Sequence, residues 1–348
     1  MRTLPSSATA RAATALVEAL QQRFVAGLEA AAAAAGMPAR LAPVEWLRDD
    51  GRHGGGVRWG TADSAMFGRA SINVSTVHYD DLPDRKLASA SALSSIVHPA
   101  DPRRPSMHLH VSWTEMRDGS GYWRVMADLN PALPDHADRQ RFIAALREAA
   151  PEQYDAAAEQ GDRYFFIPAL GRHRGVTHFY LEAYTTGDWD RDAALARRVE
   201  EAAISTYCSL LQRPLAGVAS AAERAAQLAY HTVYLFQVLT LDRGTTSGLM
   251  VHDQNDEGIM GSLPPSIDPV LLASWAKLVP PPQGELVDRL VAVLAGTPAS
   301  SGVTVDAAAK HALAKAVREH YRLHPRALDL QASGDVVPPT VSNHQAIS

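Results

Sequence analysis

Three histidines in the first third of the chain could carry acid–base or metal chemistry. His98 falls in the loop-like stretch VHPADPRRP, and His108 and His110 follow in a predicted strand, MHLHVSW. Residues two apart in a strand point to the same face, so His108 and His110 are predicted side by side. These imidazoles, with Asp128 from a neighbouring predicted strand, could bind a metal ion, or they could hold hydrogen bonds along the wall of a cleft.

Two further polar groups follow apolar runs. Asp128 stands in ADLNP, a pattern typical of a turn, but a carboxylate at a pocket mouth could also bind an N–H group or take its proton. Arg243 follows a long apolar run and precedes a glycine. It could pair with a carboxylate inside the fold or hold a substrate carboxylate in a bidentate contact. The residues alone leave both pairs of alternatives open.

A polar stretch lies between short apolar runs in LDRGTTSGLMVHDQNDEGIMGSLPP, residues 241–265. The pattern predicts a hairpin with strands near residues 247–250 and 258–261. Its tip consists of His252, Asp253, Gln254, Asn255, Asp256 and Glu257. Such a tip is either a solvated turn or the rim of a pocket.

Strands and helices must position these groups. Alternating β-branched segments predict strands at residues 70–78, 107–113, 122–129 and 176–184, and a long apolar run predicts a buried strand at 232–241. Helices are predicted at residues 8–35, 192–211, 268–277, 284–295 and 305–321, and within 139–160. The glycine run at residues 54–56 is predicted to open a loop, and the chain from about residue 332 is predicted to be disordered. This order favours an α+β protein with one large, mostly antiparallel sheet.

The composition is that of an ordinary soluble globular protein, with 348 residues, 46% hydrophobic and 20% charged. A net charge of −5 gives no reason to expect nucleic acid or an anionic membrane as a partner. The single cysteine, Cys208, excludes a disulfide framework and is expected to be a core thiol. No apolar run reaches the ~18 residues of a membrane span, and the amino end is not typical of a signal peptide, so a cytoplasmic location is expected. Nucleotide-binding motifs are absent, so no nucleotide cofactor is expected.

Seven stretches, in order, resemble segments of the oxygen-dependent coproporphyrinogen III oxidases. They are GGG (54–56), INVSTVHYDDLP (72–83), SSIVHPADPRRPSMH (94–108), ADLNP (127–131), YFFIPALGRHRG (164–175), DRGTTSGL (242–249) and MGSLPP (260–265). The resemblance implies a flat antiparallel sheet between helices and a homodimer acting on a small molecule. It implies a single domain over residues 1–300, followed at 301–348 by a C-terminal helix and a disordered tail.

The resemblance also implies a chemistry. O2 serves as oxidant without a metal or organic cofactor, and propionate side chains of a porphyrinogen become vinyl groups in haem biosynthesis. Carried over by position, His108 takes the acid/base place and Asp128 faces the pyrrole N–H groups. Ser94 contacts substrate, and His98 lies at the site.

The chain departs from the family pattern at two places. Where the family has Asn and Arg, this chain has His110 and Ser112. The family's Gly-Gly-Arg is replaced by the longer tip that starts at His252. The expected substrate-binding residues are therefore Ser94, His110, Ser112, Arg243, His252, Asp253 and Gln254.

These departures keep alternatives open. The enzyme could use the same O2 chemistry on a different electron-rich N–H substrate that carries fewer carboxylates. It could instead be a metal-dependent oxidase that uses His98, His108 and His110. A relative that binds a ligand without catalysis is the remaining alternative.

Overall fold

A computed structural model describes residues 1–62, 64–252, 254–295, 302–332 and 344. The strands are β1 (Ala42–Leu47), β2 (Gly54–Ala62), β3 (Phe67–His78), β4 (Leu87–Pro99), β5 (Ser106–Met116), β6 (Gly121–Asn130), β7 (Phe166–Ile167), β8 (Arg172–His173), β9 (Thr177–Tyr184), β10 (Ser266–Ile267) and β11 (Val303–Thr304). Seven of them form one antiparallel sheet in the order β1-β2-β3-β4-β5-β6-β9. The large antiparallel sheet predicted from the sequence is therefore confirmed.

Helices surround this sheet. They are α1 (Ala8–Ala34), α2 (His136–Ala149), α3 (Tyr154–Phe165), α4 (Trp189–Leu211), α5 (Ala221–Thr240), α6 (Arg243–Val251), α7 (Asp256–Ile259), α8 (Pro269–Ser274), α9 (Gln283–Val293) and α10 (Ala307–Leu323). Short 3-10 helices occur at Asp49–Gly51, Pro168–Leu170, Met260–Ser262 and Pro325–Leu330. The α+β class is confirmed.

The two faces of the sheet differ because side chains alternate along each strand. In β5, Leu109 and Val111 point to one face and join an apolar core with helices α1, α2 and α4. The intervening His108 and His110 point to the other face, which α5, α6 and α7 cover. One face thus stabilises the fold, and the other is free to carry polar groups.

The thiol of Cys208 lies in this apolar core, as predicted, and is only 7% exposed. Burial raises its pKa to about 12, so the group is a neutral thiol at pH 7. It touches α1 closely: a Cβ atom placed on Gly27 would lie 2.8 Å from the Cys208 sulfur. The residue therefore packs between two helices.

The predicted strand at residues 232–241 is wrong, because this segment forms the end of helix α5. Residues 230–240 are all buried. A helix buried on every side has the same continuous apolar run as a buried strand, so periodicity cannot separate the two. The helix begins with a capping box in which the side chains of Ser220 and Glu223 each bond the other's backbone N–H.

The predicted hairpin at residues 247–261 is also wrong, since α6 and α7 occupy this stretch. Helix α6 begins at Asp242, whose carboxylate accepts a hydrogen bond from the Thr245 N–H at 2.6 Å. Helix α6 contains two threonines, which are typical of strands, and two glycines, which are typical of turns. The cap at Asp242 outweighs their low helix propensity.

Other predicted bounds change more modestly. The single helical region at 139–160 is two helices, α2 and α3, and the glycine run at 54–56 starts strand β2. Glycine is needed there because Gly54 and Gly55 have φ angles of 97° and 142°. His98 was predicted in a loop but lies near the end of strand β4. Most of the tail predicted to be disordered, residues 333–343 and 345–348, lies outside the described residues.

Candidate active site

A pocket lies between the polar face of the sheet and helices α5, α6 and α7. Ser94, His108, His110 and Ser112 all line it, which confirms that the two histidines share a face. The antiparallel register places these residues in rows across the strands. Ser94 pairs with His110, and His110 pairs with Met126. The sheet therefore presents a ladder of polar side chains to whatever the pocket holds.

The next row holds a buried acid–base pair, His108 and Asp128, which lie opposite each other on β5 and β6. The carboxylate of Asp128 is fully buried and is not a turn group, so the turn interpretation is wrong. Its Oδ1 lies 2.6 Å from His108 Nδ1. Its Oδ2 accepts from the Arg174 Nη2 at 2.7 Å and the Asn130 Nδ2 at 2.5 Å.

Electrostatics keep Asp128 ionised. Burial alone would raise the pKa of this carboxyl, but Arg174 and His108 outweigh that effect and hold its pKa far below the usual range. The ionised carboxylate can only accept hydrogen bonds, so His108 Nδ1 carries the hydrogen and donates it. Arg174 Nη2 lies 3.3 Å from the same nitrogen and is also only a donor, so this approach is not a hydrogen bond.

The pair therefore fixes the tautomer of His108. Its Nδ1 is used by Asp128, which leaves Nε2 as the unprotonated nitrogen of the neutral ring, on a side chain that lines the pocket. Asp128 does not itself line the pocket. The resemblance places Asp128 against substrate N–H groups; in this structure it stands behind His108 and orients it.

Arg174 was missed as a site residue, although it lies in the GRHRG segment. Its side chain is 1% exposed and donates to Gln237 at 2.7 Å as well as to Asp128. The guanidinium carbon lies 4.1 Å from the centre of the Phe165 ring and 5.0 Å from that of Tyr234. Its partners come from three separate elements, β6, α3 and α5, so spacing gives no signal for it beyond the Arg-Gly motif itself.

Arg124 is a second cation that sequence reasoning missed. It lies on β6 directly opposite Ser112, at the edge of the same pocket. Its Nε and Nη2 donate to the two carboxylate oxygens of Glu182 at 2.6 and 2.9 Å. A guanidinium thus stands one strand away from the family's arginine position, but a buried carboxylate neutralises it.

His110 is a neutral pocket group. Burial lowers its pKa well below the ordinary value, and the charge of Arg124 lowers it further. Its Nε2 lies 3.1 Å from the Ser112 hydroxyl. The two residues that replace the family's Asn and Arg therefore bond to each other.

His98 lies apart from the pocket lining and is fully buried. Its Nδ1 is 3.1 Å from the Ser106 hydroxyl, and its Nε2 is 3.1 Å from the Ser262 carbonyl oxygen. Burial lowers its pKa well below the ordinary value. With both nitrogens used, His98 ties β4 to the segment after α7 and is not free to join His108 and His110 at a metal ion.

The described part of the chain holds no group of three or more His, Cys, Asp or Glu side chains arranged to bind a metal. Within the same residues, no helix is both long and apolar enough to cross a bilayer.

The predicted tip divides into pocket and surface residues. His252 lines the pocket and contacts the guanidinium of Arg48. Gln254 is exposed, and its amide bonds the Asp49 carboxylate at 2.9 Å. Asp253 lies outside the described residues.

The other two acids of the tip do not present free charge. Asp256 forms a two-pronged ion pair with Arg318 of α10. Glu257 is exposed and pairs with Arg58 at 3.1 Å. Both ion pairs weaken the repulsion that these two carboxylates would exert on an anionic substrate.

Among the described residues, no carboxylate lies within ion-pair distance of Arg243. Its Nε donates to the backbone carbonyl of Ala332 at 2.9 Å, and its side chain does not line the pocket. The preceding residue, Asp242, does line the pocket and accepts from the Tyr164 hydroxyl at 3.2 Å. Arg243 thus holds the C-terminal segment, while its neighbour lies at the site.

Comparisons with known proteins agree with this geometry. The family model for coproporphyrinogen III oxidase matches residues 12–295. Proteins of Rickettsia africae and Rickettsia akari, both named oxygen-dependent coproporphyrinogen-III oxidase, are 29% and 28% identical over 245 residues. Each alignment covers 66% of this chain and 85% of the relative. The chain belongs to the coproporphyrinogen III oxidase family.

Proposed function

We propose that this chain is an oxygen-dependent oxidase of haem biosynthesis that converts propionate arms of coproporphyrinogen III to vinyl groups. For each arm, propionate, O2 and one proton give vinyl, CO2 and H2O2. The two electrons leave the carbon chain for O2, so no other oxidant is needed. Family membership over residues 12–295 and the names of the relatives support this proposal.

The observation that carries the proposal is the oriented His108 at the pocket wall. Asp128 holds Nδ1 at 2.6 Å, so the opposite nitrogen can accept or return a substrate proton. A positioned acid–base group of this kind contributes roughly 10²–10⁴-fold to a rate. Arg174 keeps Asp128 anionic and therefore keeps the tautomer of His108 fixed.

The test is O2 uptake by the purified, chelator-treated protein with coproporphyrinogen III, with products weighed by mass spectrometry. We expect uptake together with loss of two CO2 per substrate. A folded protein that consumes no O2 with this substrate would contradict the proposal. Activity that requires added iron or manganese would instead support a metal-dependent oxidase.

One observation favours a second candidate, the same chemistry on a substrate with fewer carboxylates. Both arginines that line the pocket are paired with buried carboxylates, Arg174 with Asp128 and Arg124 with Glu182. These two pairs therefore add no net positive charge to the pocket. Competition of coproporphyrin III against a dicarboxylate porphyrin separates the candidates, because the second predicts no preference for the tetracarboxylate.

We also propose that the enzyme is a cytoplasmic homodimer. The exposed Val44 and Leu47 on the edge strand β1 support association through that side of the sheet. Light scattering coupled to size exclusion tests the dimer. A monomer at micromolar concentration would contradict it.

A further inference from the structure

The C-terminal segment reaches the pocket although it lies beyond the family match, which ends at residue 295. Ala332 donates its N–H to the Leu241 carbonyl at 2.9 Å and accepts from Arg243 at 2.9 Å. Twelve residues further on, His344 lines the pocket itself. The chain thus adds a residue to the site that the family domain does not supply.

His344 makes specific contacts at this position. Its Nδ1 lies 3.0 Å from the Tyr79 hydroxyl, and its ring meets the His252 ring edge-on at 5.3 Å between centres. Its backbone carbonyl accepts a hydrogen bond from Arg85. Burial, together with the nearby charges of Arg48 and Arg85, lowers the pKa of His344 to about 4, so the ring is neutral at pH 7.

A cationic cluster lies behind His344 and does not line the pocket while that residue is in place. Arg48 donates to the Tyr79 hydroxyl at 2.9 Å. The guanidinium carbons of Arg48 and Arg85 each lie 5.6 Å from the centre of the Tyr79 ring. Two guanidiniums therefore converge on one phenol behind His344.

The charges of Arg48 and Arg85 are less compensated than those of Arg124 and Arg174, which line the pocket. Arg48 approaches a carboxylate, that of Asp49, only at 3.8 Å, and Asp49 is itself bonded to His53 and Gln254. No carboxylate of the described residues lies within ion-pair distance of Arg85, whose acceptor is the neutral His344 carbonyl. A carboxylate accepts a charge-assisted bond from a guanidinium more strongly than an amide carbonyl does.

We propose that Arg48, Tyr79 and Arg85 form a carboxylate-binding subsite beside the pocket, next to His344. In the free enzyme His344 occupies this subsite, and a carboxylate arm of the substrate replaces it. The identity of that arm rests on the proposed function; the affinity of the subsite for a carboxylate does not.

The first test measures binding of coproporphyrin III, the oxidised tetracarboxylate, by fluorescence quenching without turnover. Arg85→Gln is expected to weaken binding at least tenfold, and Arg85→Lys, which keeps the charge, less. The matched control is Arg52→Gln, because Arg52 is a nearby exposed arginine that pairs with Asp81. Equal affinity of Arg85→Gln and wild type, with both folded by circular dichroism, would overturn the subsite.

A double-mutant cycle tests the role of His344. His344→Ala loses the ring contacts to Tyr79 and His252 and is expected to bind coproporphyrin III three- to tenfold more tightly. The gain should vanish in the Arg85→Gln, His344→Ala double variant, since the freed position then lacks its cation. Weaker binding by His344→Ala would make the imidazole part of the binding surface and overturn its role as an occupant.

A simple carboxylate separates failure of the subsite from failure of the proposed function. Succinate, at ionic strength matched with sodium chloride, is expected to raise the melting temperature of wild type but not of Arg85→Gln. This shift in a protein that neither binds nor oxidises the porphyrin would leave the subsite standing and reject the proposed substrate. If wild type and Arg85→Gln both oxidised coproporphyrinogen III with equal KM, the proposed function would stand and the subsite would be rejected.

Discussion

At the scale of residues, the site depends on the three hydrogen bonds that the carboxylate of Asp128 accepts. The carboxylate of Asp128 accepts a hydrogen bond from His108 at one oxygen and from Arg174 and Asn130 at the other, and it does not line the pocket. An ionised group this deeply buried is tolerated because it is fully bonded and paired. The same bonds that stabilise the charge fix the orientation of the imidazole. Stability and the proposed acid–base role of His108 therefore depend on the same atoms.

Asp128→Asn tests this coupling. We expect kcat to fall at least ~100-fold, because an amide at this position no longer fixes the tautomer of His108. We expect the free energy of unfolding to fall by about 3–5 kcal/mol, because Arg174 is left buried without an anionic partner. O2 uptake and urea denaturation measure the two effects. Because the pKa of Asp128 is depressed, this stability is present above the carboxyl's unfolded value and lost only in strong acid, so the loss should be constant from pH 5 to 8.

The matched control is Asp162→Asn. Asp162 also bonds a histidine, His178, at 2.7 Å, but its side chain is 60% exposed and does not line the pocket. The Asp162→Asn variant should keep kcat within about twofold of wild type, because surface ion pairs contribute little to stability. An equal loss of activity in both variants would mean that Asp128 acts only through general stability.

Residue spacing predicted part of this site. The two-residue step from His108 to His110 was enough to place both imidazoles on one face. Arg174 and Arg124 could not be found this way, because each pairs with a carboxylate that is distant in sequence. Asp128 is 46 residues from Arg174, and Glu182 is 58 residues from Arg124. A carboxylate before Asn-Pro resembles a turn whether it is exposed or buried, so only packing could show that Asp128 is internal.

At the scale of elements, helix α5 shows how a local signal outweighs composition. Its apolar end contributes Tyr234 and Gln237 to the surroundings of Arg174, and its start is fixed by the Ser220 and Glu223 capping box. Strand β4, in contrast, is absent from the strands predicted from the sequence. In β4, Ser89 and Ser91 are buried while Ala90 and Ala92 face the pocket, so hydrophobicity gives no useful alternation. A strand such as β4, whose buried side chains are small and polar, cannot be recognised from the pattern of hydrophobic residues.

Ser220→Ala is the prediction for this element. Removing the cap leaves a helix N–H without its acceptor and should lower the free energy of unfolding by about 1 kcal/mol. Ser220 is exposed and distant from the pocket, so kcat should not change. Ser220→Asp keeps a capping oxygen and should restore the stability in urea titrations. If Ser220→Ala had the same free energy of unfolding as wild type, the cap would not be what stabilises the start of the helix.

At the scale of the whole molecule, the chain beyond the family match is tied to the family domain. Helix α10 carries Arg318, which pairs with Asp256 beside the pocket. It also carries Lys310, which is only 8% exposed and lies near Arg58 and Arg69. Burial, together with the charges of the two arginines, lowers the pKa of Lys310 to about 8. This amine is a buried charge that destabilises the folded protein at neutral pH.

Lys310→Met should therefore raise the melting temperature at pH 7. The pKa of this lysine is about 8 in the fold against an ordinary value of 10.5, so the destabilisation is full below pH 8 and disappears above pH 10.5. The difference between variant and wild type should narrow across that window in calorimetry. Lys315→Met, an exposed site on the same helix, is the control and should show no such narrowing. A pH-independent gain at Lys310 would reflect packing alone.

The two-sided sheet has a consequence for how this enzyme can evolve. Core and pocket residues alternate in the same strands, so loss of a single residue from β5 would exchange Leu109 with His110 and destroy both at once. Point substitutions on the pocket side, as at His110 and Ser112, leave the packed side intact. New substrates are therefore accessible through every second position, while strand length stays fixed. Relatives that act on other molecules should differ at these alternate sites and keep the same register.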